Sequence, residues 1–220
     1  MLMTMLRSSI AILLRPSVTT FEAHERNSLR WALAYVSLGA LLTALLGIAS
    51  FYLHRPFMDA QLDAIAAEFT NFGQAIGQDL PIAEFMFPAE THTPLLSNAL
   101  GTLIGFMTYL TIVFLLGKAL GGSGTYGELA YDVALFWVPI SVVSATLNVF
   151  SISLFSCLTA PVVVFVSFYG FYLTFLSVQA GLNLPPMRAL VVVLVPTTLF
   201  FIFFCGLLAL AFLVISQVPR

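Results

Sequence analysis

Two carboxylates four residues apart are the first candidates for chemistry. Glu128 and Asp132 would lie on one face of a helix, because residues at i and i+4 are neighbours there. Such a pair could bind a metal ion or relay protons. The alternative, which we favour, is the solvated first turn of a helix, since no histidine or third acid lies nearby in the sequence.

The histidines and cysteines form no second site. His24, His54 and His92 fall in three separate polar segments and share no ligand spacing. Cys157 and Cys205 stand alone in or beside apolar stretches, without a Cys-x-x-Cys motif, and are typical of small buried hydrophobes. We therefore expect no metal, no cofactor and no catalytic residue, and we expect that the protein is not an enzyme.

Another possible chemistry is transport along a polar helix face. Asn148 lies in the middle of a long apolar run, with Ser144 and Ser151 near the same face. The apolar runs contain no ionisable residue, although ion and solute pathways usually have one. Hydrogen bonding between helices also explains these polar side chains, so a small transporter or channel is kept as the alternative function.

The composition decides the class of protein that must position these residues. Of 220 residues 60% are hydrophobic and only 8% are charged, and the mean hydropathy is +1.02. Soluble domains have about 25% charged residues, because their surfaces face water. The deficit predicts an integral membrane protein and excludes a soluble enzyme, a nucleic-acid binder and a disulfide scaffold.

Charge-free runs divide the chain into membrane spans. A helix needs about 20 apolar residues to cross the hydrocarbon core, and backbone groups in lipid must be paired internally. The sequence therefore predicts an all-α integral membrane protein, a bundle of five transmembrane helices at about 31–53, 95–117, 133–156, 161–179 and 189–215. These spans form a membrane domain over residues 31–220, with an acidic non-cytoplasmic loop at 54–94 that contains an amphipathic helix.

The positive-inside rule orients the bundle. With the N-terminus in the cytoplasm, six basic residues lie inside and two outside. We therefore predict a cytoplasmic N-terminus and a non-cytoplasmic C-terminus, and the short loops favour a bacterial inner membrane. Residues 1–30 form a cytoplasmic segment of short interfacial helices, with apolar residues at helical spacing from Leu2 to Leu14. Thr19 and Glu22 have the spacing of a capping box for the second of these helices.

A glycine-rich turn joins the second and third spans. It reads Gly121-Gly122-Ser123-Gly124-Thr125-Tyr126, followed by an acidic first turn and by a proline inside the next span. Before the first span the chain reads Arg15-Pro16 and then Thr20-Phe21. Together these features resemble the prokaryotic branch of the Yip domain family, membrane proteins named for binding Ypt/Rab GTPases in eukaryotes. The resemblance covers essentially the whole chain.

The resemblance implies a non-enzymatic membrane scaffold or adaptor that engages membrane or peripheral proteins. Its candidate partner-binding residues are Gly121, Gly122, Tyr126 and Glu128. A structural alternative makes them a helix C-cap, an interfacial anchor and a partner of the helix dipole. The expected partners are the lipid bilayer, proteins of unknown identity and, through small-xxx-small pairs such as Gly101 and Gly105, a second copy of the chain. No nucleic acid is expected.

Overall fold

The fold is entirely helical where it is described. The computed structural model describes residues 1–75, 95–151 and 155–216, and the regular elements in these ranges are α-helices. In chain order they are α1 (Leu2–Leu14), α2 (Val18–His24), α3 (Leu29–Ala75), α4 (Leu95–Ala119), α5 (Tyr126–Phe150), α6 (Phe155–Gly181) and α7 (Pro186–Ser216). The predicted all-α class is confirmed.

Five of these helices are long and apolar enough to cross a membrane. The candidate spans are Leu29–Pro56 of α3, the whole of α4, α5 and α6, and Pro186–Leu207 of α7. Their outer faces are apolar, and Leu158, Phe165 and Phe168 are 73%, 70% and 72% exposed. A surface of this kind is stable only against lipid. The protein is a multi-pass membrane protein.

The start of α5 differs from the sequence expectation. The helix begins at Tyr126 rather than near 133, because Thr125 and Glu128 form a reciprocal capping box at its N-terminus. Glu128 and Asp132 therefore lie within a helix of spanning length. The predicted span boundary near 133, with no ionisable residue inside the span, stays a prediction.

Helix α5 is the centre of the bundle. It packs most extensively against α3 and then against α6, and its residues from Leu129 to Phe136 are all buried. The approach to α3 is close, since a Cβ atom on Gly39 would lie 2.8 Å from Val138 Cγ1. By contrast, no described atom lies within 4 Å of a Cβ built on Gly101 or Gly105. Self-association through this pair stays a prediction.

Helix α1 lies against the bundle by a face that combines two large apolar residues with two serines. Met5, Ser8, Ser9 and Ile12 are buried, and the Ser9 and Tyr35 hydroxyls are 3.1 Å apart. The Tyr169 hydroxyl of α6 donates to the Leu13 carbonyl at 2.6 Å. The larger apolar side chains of the predicted stripe face away from the protein, namely Leu2, Leu6, Ile10 and Leu14. This arrangement leaves the stripe available to lipid.

Helix α2 is capped two residues earlier than the sequence suggested. Ser17 is the N-cap, and its hydroxyl accepts the Thr20 N–H at 3.1 Å. Thr19 and Glu22 therefore do not form the predicted capping box. The change matters because it leaves the Glu22 carboxylate free of a capping role at this end of the bundle.

At the end of the bundle opposite α2, a histidine links α3 to the end of α5. His54 Nδ1 lies 2.6 Å from the Ser50 carbonyl oxygen, and its Nε2 lies 3.0 Å from that of Ser151. Helix α3 continues past this point to Ala75 and so includes part of the predicted amphipathic helix of the acidic loop. The rest of that loop, residues 76–94, is outside the described residues.

Candidate functional site

The glycine-rich turn is a tight helix end. Gly121 adopts φ +90°, a left-handed conformation that glycine reaches without strain. The Gly122 N–H donates to the Gly117 carbonyl at 2.9 Å, and the Gly121 N–H donates to that of Lys118 at 3.1 Å. These bonds satisfy carbonyls at the end of α4, in the manner of a C-terminal cap.

The turn is also fixed to the neighbouring turn between α6 and α7. The Ser123 N–H donates to the Leu182 carbonyl at 3.0 Å, and Arg188 Nη1 donates to the Leu120 carbonyl at 2.9 Å. A Cβ atom on Gly124 would overlap the carbonyl oxygen of Gly181. The two turns therefore form one surface, which we call the loop platform and define as residues 118–125 and 182–188.

The four candidate partner-binding residues have unequal access to this surface. Gly121 is exposed, whereas Gly122 is buried. Tyr126 is half-buried, with its ring edge-on to Phe114 at 5.2 Å and its hydroxyl 3.1 Å from that of Thr111. Glu128 Oε2 accepts the Thr125 N–H at 2.7 Å. Three of the four thus have packing or capping contacts inside the protein.

The exposed side chains of the platform were not singled out from the sequence. Lys118 and Arg188 are exposed and lie on either side of the glycine turn. Lys118 Nζ donates to the Ser123 carbonyl at 3.2 Å, and Arg188 Nη1 would lie 3.2 Å from a Cβ on Gly121. Both residues were among the six basic residues that the positive-inside rule assigns to the cytoplasm. Considering the two loops that contain them as one surface would have revealed that this surface is basic.

Asp132 lies below this surface in the packed interior. Its side chain is fully buried, and neither carboxylate oxygen has a hydrogen-bond partner among the described residues. Oδ2 would lie 3.2 Å from a Cβ on Gly181, so the carboxyl packs against the C-terminal end of α6. The expectation of a solvated first turn is wrong for Asp132, because α5 begins early and the preceding segment covers it.

The covering segment consists of α2 and the turns that flank it. We call residues 17–28 the N-terminal cover. Phe21 is fully buried and its ring is edge-on to Phe136 at 6.4 Å, while Asn27 Oδ1 lies against Gly127. Asp132 lies between these two contacts along α5. The cover therefore closes over the buried carboxyl.

The comparison with known families decides the identity of this architecture. A family model described as the Yip1 domain matches residues 10–208. The chain belongs to the Yip1 domain family. No curated protein and no solved structure is similar enough to the chain to register as a match. The Yip domain resemblance inferred from the sequence is confirmed.

The polar face proposed for transport lies at the far end of this Yip1 domain. Asn148 is exposed and Ser144 is half-buried. The Ser151 hydroxyl donates to the Leu147 carbonyl at 3.1 Å and lies 2.7 Å from the Thr159 hydroxyl. Ser151 thus hydrogen-bonds within its own helix and across to α6, as expected for interhelical bonding.

Metal-ligating side chains are not grouped in the described part of the Yip1 domain. Within residues 1–75, 95–151 and 155–216, no group of three or more His, Cys, Asp or Glu residues could hold a metal ion. Cys157 and Cys205 are exposed on the outer face of their helices rather than buried as expected. Both thiols lie on the apolar outer surface of the bundle. Cysteine behaves as a small apolar residue, so it is tolerated on this surface as well as in the core.

Glu25 of the N-terminal cover has a perturbed acidity. Its Oε1 is buried and has no hydrogen-bond partner among the described residues. Burial raises the pKa of Glu25 above its usual value of 4.5, and the neighbouring charges of Glu128 and Glu22 raise it further. The folded protein thus binds this proton more tightly than the unfolded chain does.

Replacing Glu25 by glutamine is expected to stabilise the protein at neutral pH. The contribution of Glu25 to stability is fully present below its usual pKa and is lost as the pH rises through its raised pKa. Glu25→Gln keeps the shape without the charge, so its melting temperature in detergent should exceed that of the wild type at neutral pH and match it in acid. The exposed Glu22 provides the control Glu22→Gln, for which we expect a smaller change. A lower melting temperature for Glu25→Gln at neutral pH would contradict the argument.

Proposed function

We propose that this Yip1 domain protein is a non-enzymatic membrane adaptor that binds partner proteins through the loop platform. The proposal rests on the hydrogen bonds that join the two turns. The Ser123 and Gly124 N–H groups donate to the Leu182 carbonyl, and the Arg188 guanidinium donates to the Leu120 carbonyl. A surface fixed in this way loses little conformational entropy on binding. Rigid loops carried by a scaffold are where binding residues concentrate.

The exposed charges of the platform favour an acidic partner. Lys118 and Arg188 are both exposed on it. Opposite charge on a partner would increase its association rate and fix its orientation. Gly121 is exposed beside Arg188 and has no side chain, which allows a partner backbone to approach closely.

The side of the membrane follows from the same charges. Arg26 and Arg30 are exposed near the N-terminal end of α5, where Asn27 contacts Gly127. They lie at the platform end of the bundle, so four basic residues share one end. From the positive-inside rule we propose that this end faces the cytoplasm, and that the partners are peripheral cytoplasmic proteins or the cytoplasmic parts of membrane proteins.

Photocrosslinking at the platform tests the proposal. A photoreactive residue at Ser123, which is exposed, should capture at least one reproducible protein in the native membrane. The matched control carries the same residue at Tyr52, which is 56% exposed near the far end of the candidate span Leu29–Pro56 of α3. Lys118→Glu in the Ser123 background should reduce the capture several-fold, because it reverses a charge at the surface.

The outcomes separate binding from structure. Capture at Ser123 but not at Tyr52, weakened by Lys118→Glu, supports a protein partner at the platform. Capture of lipid alone, or of equal amounts at both positions, would overturn the proposal. Capture only of other copies of this chain would make the platform an oligomer contact instead.

A further inference from the structure

Two acids of the N-terminal cover, Glu25 and Glu22, act on a buried carboxyl group that has no hydrogen-bond partner among the described residues. Asp132 is fully buried and neither of its oxygens is hydrogen-bonded among the described residues. A buried carboxylate without hydrogen bonds is among the costliest groups in a protein interior. The adaptor function does not use this residue.

Acidic groups from several elements act on Asp132. The charged groups that act on it are Glu25 from the turn after α2, Glu128 from its own helix and Glu22 from α2. From α6 the nearest feature is Gly181 at the C-terminal end, where helix carbonyls carry partial negative charge. Arg26 of the cover acts on the adjacent Tyr131 phenol.

The group that neutralises Asp132 must therefore be small. A metal ion needs several ligands, and the described residues contain no group of three that could hold one. Each carboxylate oxygen is closed off from solvent, which leaves no route for a hydrated ion in this conformation. A proton needs neither additional ligands nor a cavity.

We propose that Asp132 is a proton-binding site and that the bound proton holds the N-terminal cover against the bundle. With the proton present, the cover makes its two anchoring contacts, Phe21 on Phe136 and Asn27 on Gly127. Without it, Asp132 and Glu25 become like charges in a poorly solvated site, and the repulsion opens the cover. The raised pKa of Glu25, caused by burial, Glu128 and Glu22, acts in the same direction.

Opening would change what the protein presents at the membrane surface. The cover packs against α6 as well as α5, so its release would expose Phe21 and the apolar surface around Phe136. The inference goes beyond the adaptor function and does not depend on it, since the platform contacts do not involve Asp132.

Distance measurements on the full chain test the proposal. Spin labels are placed on cysteines at Ala23 in α2 and Met187 at the start of α7, both exposed, after Cys157 and Cys205 are replaced by alanine. In lipid nanodiscs at acidic pH we expect one short distance. At alkaline pH a second, longer distance should appear and come to dominate.

Two variants show whether Asp132 is the titrating group. Asp132→Asn has the shape of the protonated form and should keep the short distance at every pH, with complete loss of the transition. Glu22→Gln removes an exposed charge from the same cluster and should retain the transition. A wild type whose distances do not change with pH, or an Asp132→Asn variant that titrates like the wild type, would overturn the proposal.

If Asp132→Asn does not fold, the protonated carboxyl group can be observed directly in the wild type. Infrared difference spectroscopy of the wild type across the same pH change should show loss of a protonated carboxyl band in parallel with the longer distance. If no such band is lost while the cover opens, Asp132 is not the proton site.

Discussion

Gly124→Ala is expected to lower the free energy of unfolding by about 3 kcal/mol and to separate the two turns of the loop platform. A Cβ atom at this position overlaps the Gly181 carbonyl oxygen and lies 2.8 Å from the Leu182 Cα. Both neighbours are backbone atoms, so no side-chain rotation can relieve the contact. The melting temperature of the purified protein in detergent measures the effect, and photocrosslinking from Ser123 measures its consequence for binding.

A glycine on an open helix face gives the matched control. Gly105→Ala adds the same methyl group where no described atom lies within 4 Å, and it should change stability by no more than about 0.5 kcal/mol. Equal melting temperatures for the two variants would show that the turns do not approach as closely as described. A large loss for Gly105→Ala in native membranes but not in detergent would instead indicate a contact between copies.

Phe21→Ala should destabilise the docked N-terminal cover by about 3–5 kcal/mol. The ring is fully buried and edge-on to Phe136, so its removal loses apolar burial and leaves a cavity. Because α2 has only seven residues, it cannot remain helical without this anchor. Hydrogen exchange of the α2 amides should become much faster, whereas the amides of α5 should stay protected.

The control for Phe21 is a phenylalanine on the outer surface. Phe168 is 72% exposed on the apolar face of α6, and Phe168→Ala should leave the exchange of α2 unchanged. Slow exchange in α2 of the Phe21→Ala variant would show that Phe21 does not hold the cover in place.

The membrane class and the number of spans could be predicted because lipid imposes a simple rule on composition. Every spanning helix must be apolar over about 20 residues, so charges mark the ends of spans directly in the sequence. Helix α5 begins before the predicted span, because the boundary of that span was drawn after the two acids. Thr125 and Glu128 have the spacing of a capping box, and this local signal would have placed the start correctly.

The buried carboxyl and the platform could not be predicted, because both depend on contacts between distant segments. Asp132 is buried by residues near position 25, and the glycine turn is fixed by Leu182 and Arg188. No periodicity in the sequence connects these positions. The glycine turn was recognised from the sequence. Its two possible roles, partner binding and helix capping, could be compared only when the hydrogen-bond partners of its backbone were known.

The bond from Tyr169 to the Leu13 carbonyl has a consequence for biosynthesis. The two residues are 156 positions apart, so the partner of the first helix emerges from the ribosome long after that helix does. This bond therefore cannot form during translation until α6 has been made, whereas the contacts of α1 with α3 and α5 involve earlier parts of the chain. The contact between α1 and α6 is thus completed late in synthesis, after helices α3 to α5 have been made.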